Sequence, residues 1–255
     1  MDKQLFHQTC EKIVNTGSKV NGIGTLGEKT LHAVLKNHFD PAEDHHEIRV
    51  GSFIADIAGD TGIIEIQTRQ FNRLRNKLDS FLPLTDVTVV YPIASTKWLV
   101  WLDEETGETT KRRKSPKKGK ACDILTELYK IKAYLKNPRL KFCIVLLDIV
   151  EYRLLNGWSE DKKKGSVRYD RIPSDIVDEI YINSPNDYEK LIPEKLEKQF
   201  TSREFMKSSG LSLSASQTAL NVLNSVGTVT RIGKRGNRYI YERAPVPDDS
   251  RAENS

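Results

Sequence analysis

The stretch His46-Glu-Ile-Arg-Val-Gly-Ser-Phe-Ile-Ala-Asp-Ile-Ala-Gly-Asp-Thr-Gly-Ile-Ile-Glu-Ile-Gln-Thr-Arg69 decides how this chain is read. Its first half alternates apolar and polar residues, as a half-buried strand does. A Gly/Asp-rich turn from Ala58 to Gly62 follows, and a second strand opens at Ile63. Alternation puts Glu65 and Gln67 on one face of that strand and Ile64 and Ile66 on the other. Asp56 stands near the end of the first strand, so a hairpin brings Asp56 and Glu65 together. Two carboxylates held close repel each other. A bound Mg²⁺, or Mn²⁺ in its place, relieves that repulsion, and such an ion activates water against a phosphodiester. Glu65 sits among Ile63, Ile64 and Ile66, where a bare charge is costly, which favours a ligand role over a surface one.

Working outward, Thr25-Leu-Gly-Glu28 is a capping box that opens a helix to about His38. Before it, residues 3–14 read as an amphipathic helix and 15–24 as a Gly/Asn/Ser loop. After the hairpin, Phe71, Leu74, Leu78 and Leu82 form one helical stripe, and residues 86–93 read as a strand.

An Asp at the end of one strand followed by Glu-x-Lys or Glu-x-Gln on the next resembles the core of the PD-(D/E)xK nucleases, the restriction-endonuclease-like superfamily. Here the motif reads Asp56, eight residues, then Glu65-Ile66-Gln67. The resemblance covers about residues 20–95. It implies an α/β fold with a restriction-endonuclease-like mixed sheet flanked by helices, a catalytic set of Glu28, Asp56, Glu65 and Gln67, and Mg²⁺ held by Asp56 and Glu65. The usual Lys is Gln67 here. Its amide would orient the attacking water but supplies no positive charge, and Lys77 or Lys29 are the cations that would replace it. Glu28 has a competing role as the fourth residue of the capping box.

At 255 residues, with 38% hydrophobic and 29% charged residues, the chain has enough material for a buried core and reads as two domains. No apolar run approaches the ~18 residues of a membrane span, and the start lacks a signal-peptide layout. Three cysteines without paired spacing argue against a disulfide framework and against zinc, so the expected location is cytoplasmic. His45-His46 beside Glu43 and Asp44 reads as a solvated loop. Residues 111–120, Lys-Arg-Arg-Lys-Ser-Pro-Lys-Lys-Gly-Lys, carry seven cations in a hairpin over 97–120. They lack the spacing of a nucleotide-binding loop, and such a basic cluster suits a polyanion.

Further on, 123–135 reads as a helix, 142–147 as a buried strand continuing towards Leu155, and 156–170 as loop or hairpin. Pro193 reads as a linker. Beyond it come helices at 194–199, 202–208 and 214–226 and two strands around Gly233-Lys-Arg-Gly236. That order resembles a winged helix-turn-helix domain, with the third helix for recognition and the Gly/Arg hairpin as the wing. On that helix Ala219, Val222, Leu223 and Val226 form the buried stripe, while Ser216, Gln217 and Asn221 lie off it as candidate base readers. Lys234, Arg235 and Arg238 are candidate phosphate contacts.

The expected division is a nuclease domain over 1–192, a winged helix over 193–243 and an acidic tail over 244–255. The expected function is a metal-dependent endonuclease directed to duplex DNA, suited to restriction or anti-phage defence, with a homodimer as a compatible assembly. The rival reading is a non-catalytic DNA-binding regulator that keeps a nuclease-like scaffold.

Overall fold

The structure, a computed structural model, describes residues 2–21, 29–158, 162, 164–165 and 167–245. These divide into two compact units interleaved along the sequence. The first takes residues 1–68, 90–120 and 144–179, and the second takes 69–89, 121–143 and 180–255. A mixed sheet with flanking helices dominates the fold. No described helix is long and apolar enough to cross a membrane.

The first unit opens with two helices, α1 (Lys3–Asn21) and α2 (Lys29–Phe39). Strands β1 (His46–Val50), β2 (Phe53–Gly59) and β3 (Gly62–Ile66) follow as an antiparallel meander. The 15–24 loop reading is corrected over its described part, where α1 continues to Asn21. The turn at Gly62, with φ of 114°, is backbone that a side chain would strain.

The sheet runs β1-β2-β3-β4-β6-β7, where β4 is Val87–Leu102, β6 is Leu140–Leu154 and β7 is Arg168–Ile182. The register fixes strand directions. Val87 donates to Arg139 O at one end of the β4–β6 pair and Leu155 donates to Leu102 O at the other, so the two strands run parallel. Leu154 donates to Val167 O, and Ser174 Oγ donates to Asp148 O, so β6 and β7 run antiparallel.

Strand β4 is twice the length the sequence suggests, because Pro92 breaks the reading at Ile93. The strand tolerates that proline for a definite reason. Val90 O accepts from Gln67 N, and Ala94 O accepts from Gly119 N. Pro92 sits between these two partners, where no donor is needed. Beyond the reach of β3, residues 109–119 cover the free edge of β4. Within them β5 (Arg113–Lys114) pairs Leu99 and Trp98. Strand β7 likewise contains Pro173, which an edge strand permits; residues 168–170, the end of the segment expected as loop or hairpin, belong to it.

Helix α2 is gripped from two sides. His32 and Lys36 reach Asp56 of β2 and Glu47 of β1, while Thr30 and His38 reach Asp170 and Glu179 of β7. Its Leu31, Val34 and Leu35 are fully buried with Phe6 of α1. Each such side chain contributes roughly 1.5–3 kcal/mol relative to exposure. The sheet therefore curls around this helix and is not flat.

In the second unit, α3 (Arg75–Phe81) follows a 3₁₀ turn at Phe71–Leu74. The helix expected over 123–135 is broken: only Leu125–Leu128, α4, is α-helical, and Ile131 has non-helical torsions inside the 3₁₀ segment Tyr129–Tyr134. Strand β8 (Gln199–Thr201), helices α5 (Ser202–Ser209) and α6 (Leu213–Val226), and strands β9 (Val229–Arg235) and β10 (Arg238–Arg243) complete the unit, with sheet order β8-β10-β9. No helix forms over 194–199. Instead Thr201 and Glu204 cap α5 reciprocally, which starts that helix after a short strand. Pro193 is not a free linker, since Arg243 of β10 donates to Glu189 Oε1, Pro193 O and Leu196 O at 2.8–2.9 Å.

Candidate active site and nucleic-acid interface

The hairpin places the two central acids as a pair. Ile57 faces Ile64 and Ala58 faces Ile63, so the paired register ends immediately beside Asp56 and Glu65 and brings the two acids to neighbouring positions at the end of the hairpin. Glu65 is only 2% exposed, because β3 is covered on both faces. Asp56 is 20% exposed at its side chain. One carboxylate oxygen, Oδ2, accepts from Ile66 N at 2.7 Å and faces His32 Nε2 at 3.2 Å. The Asp56 side chain thus takes a main-chain donor of β3 and holds its carboxylate in a fixed orientation. Gln67 is half-buried just past the end of β3, and its backbone donates to Val90 O.

Of the other residues expected here, Glu28 lies outside the described residues. Lys29 opens α2, and Lys77 lies on α3 in the second unit. Among the described residues, no group of three or more His, Cys, Asp or Glu is placed to hold a metal ion. Mg²⁺ commonly takes one or two carboxylates and completes its shell with water and phosphate oxygens, so an Asp56–Glu65 pair still fits it as a donor set. His32 is the residue the sequence reading missed. The available signal was its place four residues after Glu28, in the helix expected from the capping box.

His45 and His46 are held locally. His45 Nδ1 meets Asp40 Oδ2 at 2.7 Å, and His46 donates to Asp40 O at 2.8 Å. Burial opposes ionisation of Asp40, but the hydrogen bonds from His45 and Ala42 N and the charges of His45 and His46 together outweigh it and hold the carboxyl below its usual range. The pair is thus a structural clasp on the loop before β1.

A second acid lies at α2. Asp170 of β7 is buried and accepts from Thr30 Oγ1 at 2.8 Å and from Arg171 N at 2.7 Å. Burial dominates there and pushes its carboxyl up to about 6.

In the second unit, α6 packs against α4 and the Tyr129–Tyr134 segment. One expected base reader is corrected: Ser216, three residues before Ala219, stands on the buried stripe of α6. Ser216 is fully buried, and its hydroxyl finds no hydrogen-bond partner among the described residues. Asn221 is half-buried, and its Oδ1 accepts from Lys132 Nζ at 2.9 Å. Gln217, near the start of α6, is exposed. Lys234, Arg235 and Arg238 are exposed on the β9–β10 hairpin, with Arg235 3.6 Å from Glu204. Two cations flank the Tyr239 ring, Arg231 at 4.5 Å and Lys234 at 5.0 Å. Arg203 and Lys207 of α5 share a shallow depression with Arg238. Neither they nor Arg231 stood out in the sequence, because single cations carry no periodic signal.

A protein of Treponema pallidum (strain Nichols), described as an uncharacterized protein, is 29% identical over 233 residues, covering 90% of each chain. No solved structure matches the chain. Residues 29–183, from the start of α2 to just beyond β7, match the family described as a domain of unknown function (DUF8091), and the chain belongs to that family.

Proposed function

We propose that the protein is a metal-dependent DNA endonuclease, with Asp56 and Glu65 as metal ligands on a restriction-endonuclease-like core. The observation that carries the reading is that Asp56 and a buried Glu65 stand side by side at the end of the β2–β3 pairing, with Asp56 oriented by Ile66 N and His32. Mg²⁺ bound there would supply charge to a phosphate in transit and lower the pKa of a bound water. The chain's own part is to hold Asp56 in one rotamer and to keep Glu65 desolvated. The Gln67 amide, two residues beyond Glu65, would accept a hydrogen bond from water but not balance negative charge.

The β8–α5–α6–β9–β10 segment is read as a winged helix that brings duplex DNA to the protein. Gln217 at the exposed start of α6 is its base-reading residue, and Arg203, Lys207, Arg235 and Arg238 are its phosphate contacts. A role in restriction or anti-phage defence suits such an enzyme.

The deciding experiment is cleavage of supercoiled plasmid in Mg²⁺ and in Mn²⁺. Wild type should nick or linearise the plasmid, and Asp56→Asn should abolish this while leaving DNA binding in place. Gln67→Lys should keep or raise activity. The second reading, a non-catalytic DNA-binding regulator, is favoured by Gln67 itself, and it takes over if wild type binds DNA and cuts none with either ion.

A further inference from the structure

The basic segment 111–120 is not a loose loop. It is stapled along β4: Thr110 N donates to Trp101 O, Arg113 and Lys114 pair with Leu99 and Trp98, Ser115 N donates to Lys97 O, and Gly119 N donates to Ala94 O. Gly119 lies so close to β4 that a Cβ there would stand 2.3 Å from Ile93 and 2.8 Å from Ala94 O. The cations of this strip therefore have fixed sides. Lys114 pairs with Trp98 and shares its face, where Arg112 and Lys114 stand over the indole at 4.6 and 5.4 Å. Arg113 pairs with Leu99 and so shares the opposite face with Lys97 and Trp101.

On that second face the strip joins another group of cations. Glu151 of β6 is buried, and three cations meet it: Lys97 at 3.2 Å, Arg153 at 2.8 Å and Arg168 at 3.6 Å. Burial opposes ionisation, but Arg153 and Lys97 outweigh it and keep the carboxyl below its usual range. One carboxylate thus organises several cations that remain partly open to solvent. Arg168 stands two residues before Asp170 on β7, on the face that meets Thr30 of α2. Helix α2 also meets Asp56 through His32. The Glu151 cluster and the candidate acid pair therefore open on the side of the sheet that α2 occupies.

We propose that Lys97, Arg113, Arg153 and Arg168 form a second nucleic-acid-binding surface that holds backbone phosphates on the α2 side of the sheet. Charge complementarity names the occupant. The four cations stand on four neighbouring strands, β5, β4, β6 and β7, which lie ~4.8 Å apart, and a phosphodiester chain is the extended polyanion that meets cations fixed in a row across one face. This surface rests on the reading that the protein binds nucleic acid, and it does not depend on cleavage.

The test uses the full-length chain in EDTA and a fluorescein-labelled 20-base-pair duplex, with anisotropy read across a salt series. Arg113→Ala and Arg168→Gln should each weaken binding three- to tenfold at 0.15 M salt and lower the salt slope by about one. Arg112→Ala and Lys114→Ala, on the Trp98 face, should change affinity less than twofold, because a Debye length of ~8 Å separates local contact from the general field. Thermal unfolding verifies that each variant is folded, and Arg113→Ala, whose side chain is exposed, decides the matter if Arg168→Gln does not fold. Equal losses on both faces, no loss on either, or binding to phosphatidylserine vesicles as tight as to the duplex would overturn the proposal. A wild type that binds no nucleic acid removes this surface and the DNA reading together. A wild type that binds but does not cut removes only the nuclease chemistry.

Discussion

At the scale of single residues, burial decides more than residue type. Asp170 and Glu151 are both buried carboxylates, yet their protonation moves in opposite directions, because Glu151 has cations at hydrogen-bond distance while Asp170 has a hydroxyl and a main-chain N–H. The folded-state pKa of Asp170, about 6, lies above the ordinary carboxylate value of 3.8. Between those values the unfolded chain gives up this proton and the folded chain keeps it. The contribution of Asp170 to stability is therefore complete below pH ~4 and is lost as pH rises through 6. Asp170→Asn should be more stable than wild type at pH 7 by roughly 2–3 kcal/mol and level with it near pH 4, measured by urea unfolding at each pH. A constant difference across that range would refute the assignment. Ser216 makes a second case. Its buried hydroxyl lacks a partner among the described residues, so Ser216→Ala should stabilise the fold by about 1 kcal/mol and leave DNA sequence preference unchanged. A changed preference in a binding-site selection would restore it as a base reader.

At the scale of elements, what was legible in the sequence was whatever local chemistry dictates. The β2–β3 hairpin could be read because alternation and a Gly/Asp turn agree, and the start of α5 at Ser202 was expected, although its cap, Thr201-x-x-Glu204, went unread. The lengths of β4 and β7 were hidden, because Pro92 and Pro173 look like breaks unless the neighbouring strands are known. The burial of Ser216 was legible but misread, because Ser216 stands three residues before Ala219 and seven before Leu223, on the buried stripe of α6. In the candidate site, Asp56, Glu65 and Gln67 were legible from spacing, while His32 needed the position of α2. The Pro193 region was misread for a similar reason: its order comes from Arg243, fifty residues later. Arg243→Ala should cost roughly 2–3 kcal/mol in chemical unfolding, as expected for charge-assisted hydrogen bonds, and should expose residues 193–198 to limited proteolysis. Unaltered protease resistance would show that the segment is ordered by something else.

At the scale of the whole molecule, cations are distributed in two places that a nucleic acid can use, the β9–β10 hairpin with α5 and the strip along β4. Apparent affinity for duplex DNA should therefore fall steeply with salt, and neutralising one place alone should leave a residual slope. A variant that lost all salt dependence after Arg235→Ala and Arg238→Ala would locate the entire contact on the hairpin. Stability has a different geography. Asp170 and Glu179, which grip α2, lie 140 and 141 residues after their partners Thr30 and His38. The His38–Glu179 pair is side-chain buried to 5% and 7% exposure, and Glu179→Ala should cost about 3 kcal/mol by leaving His38 unmatched, measured by denaturant midpoint. That same separation has a consequence for biosynthesis. At 5–20 residues per second, α2 leaves the ribosome roughly 7–30 s before β7 is made. Leu31, Val34 and Leu35 spend that interval without the strand that closes over their helix. The nascent chain is thus a natural client for a chaperone that shields short apolar helices, and slowing translation should raise the fraction of product lost to aggregation.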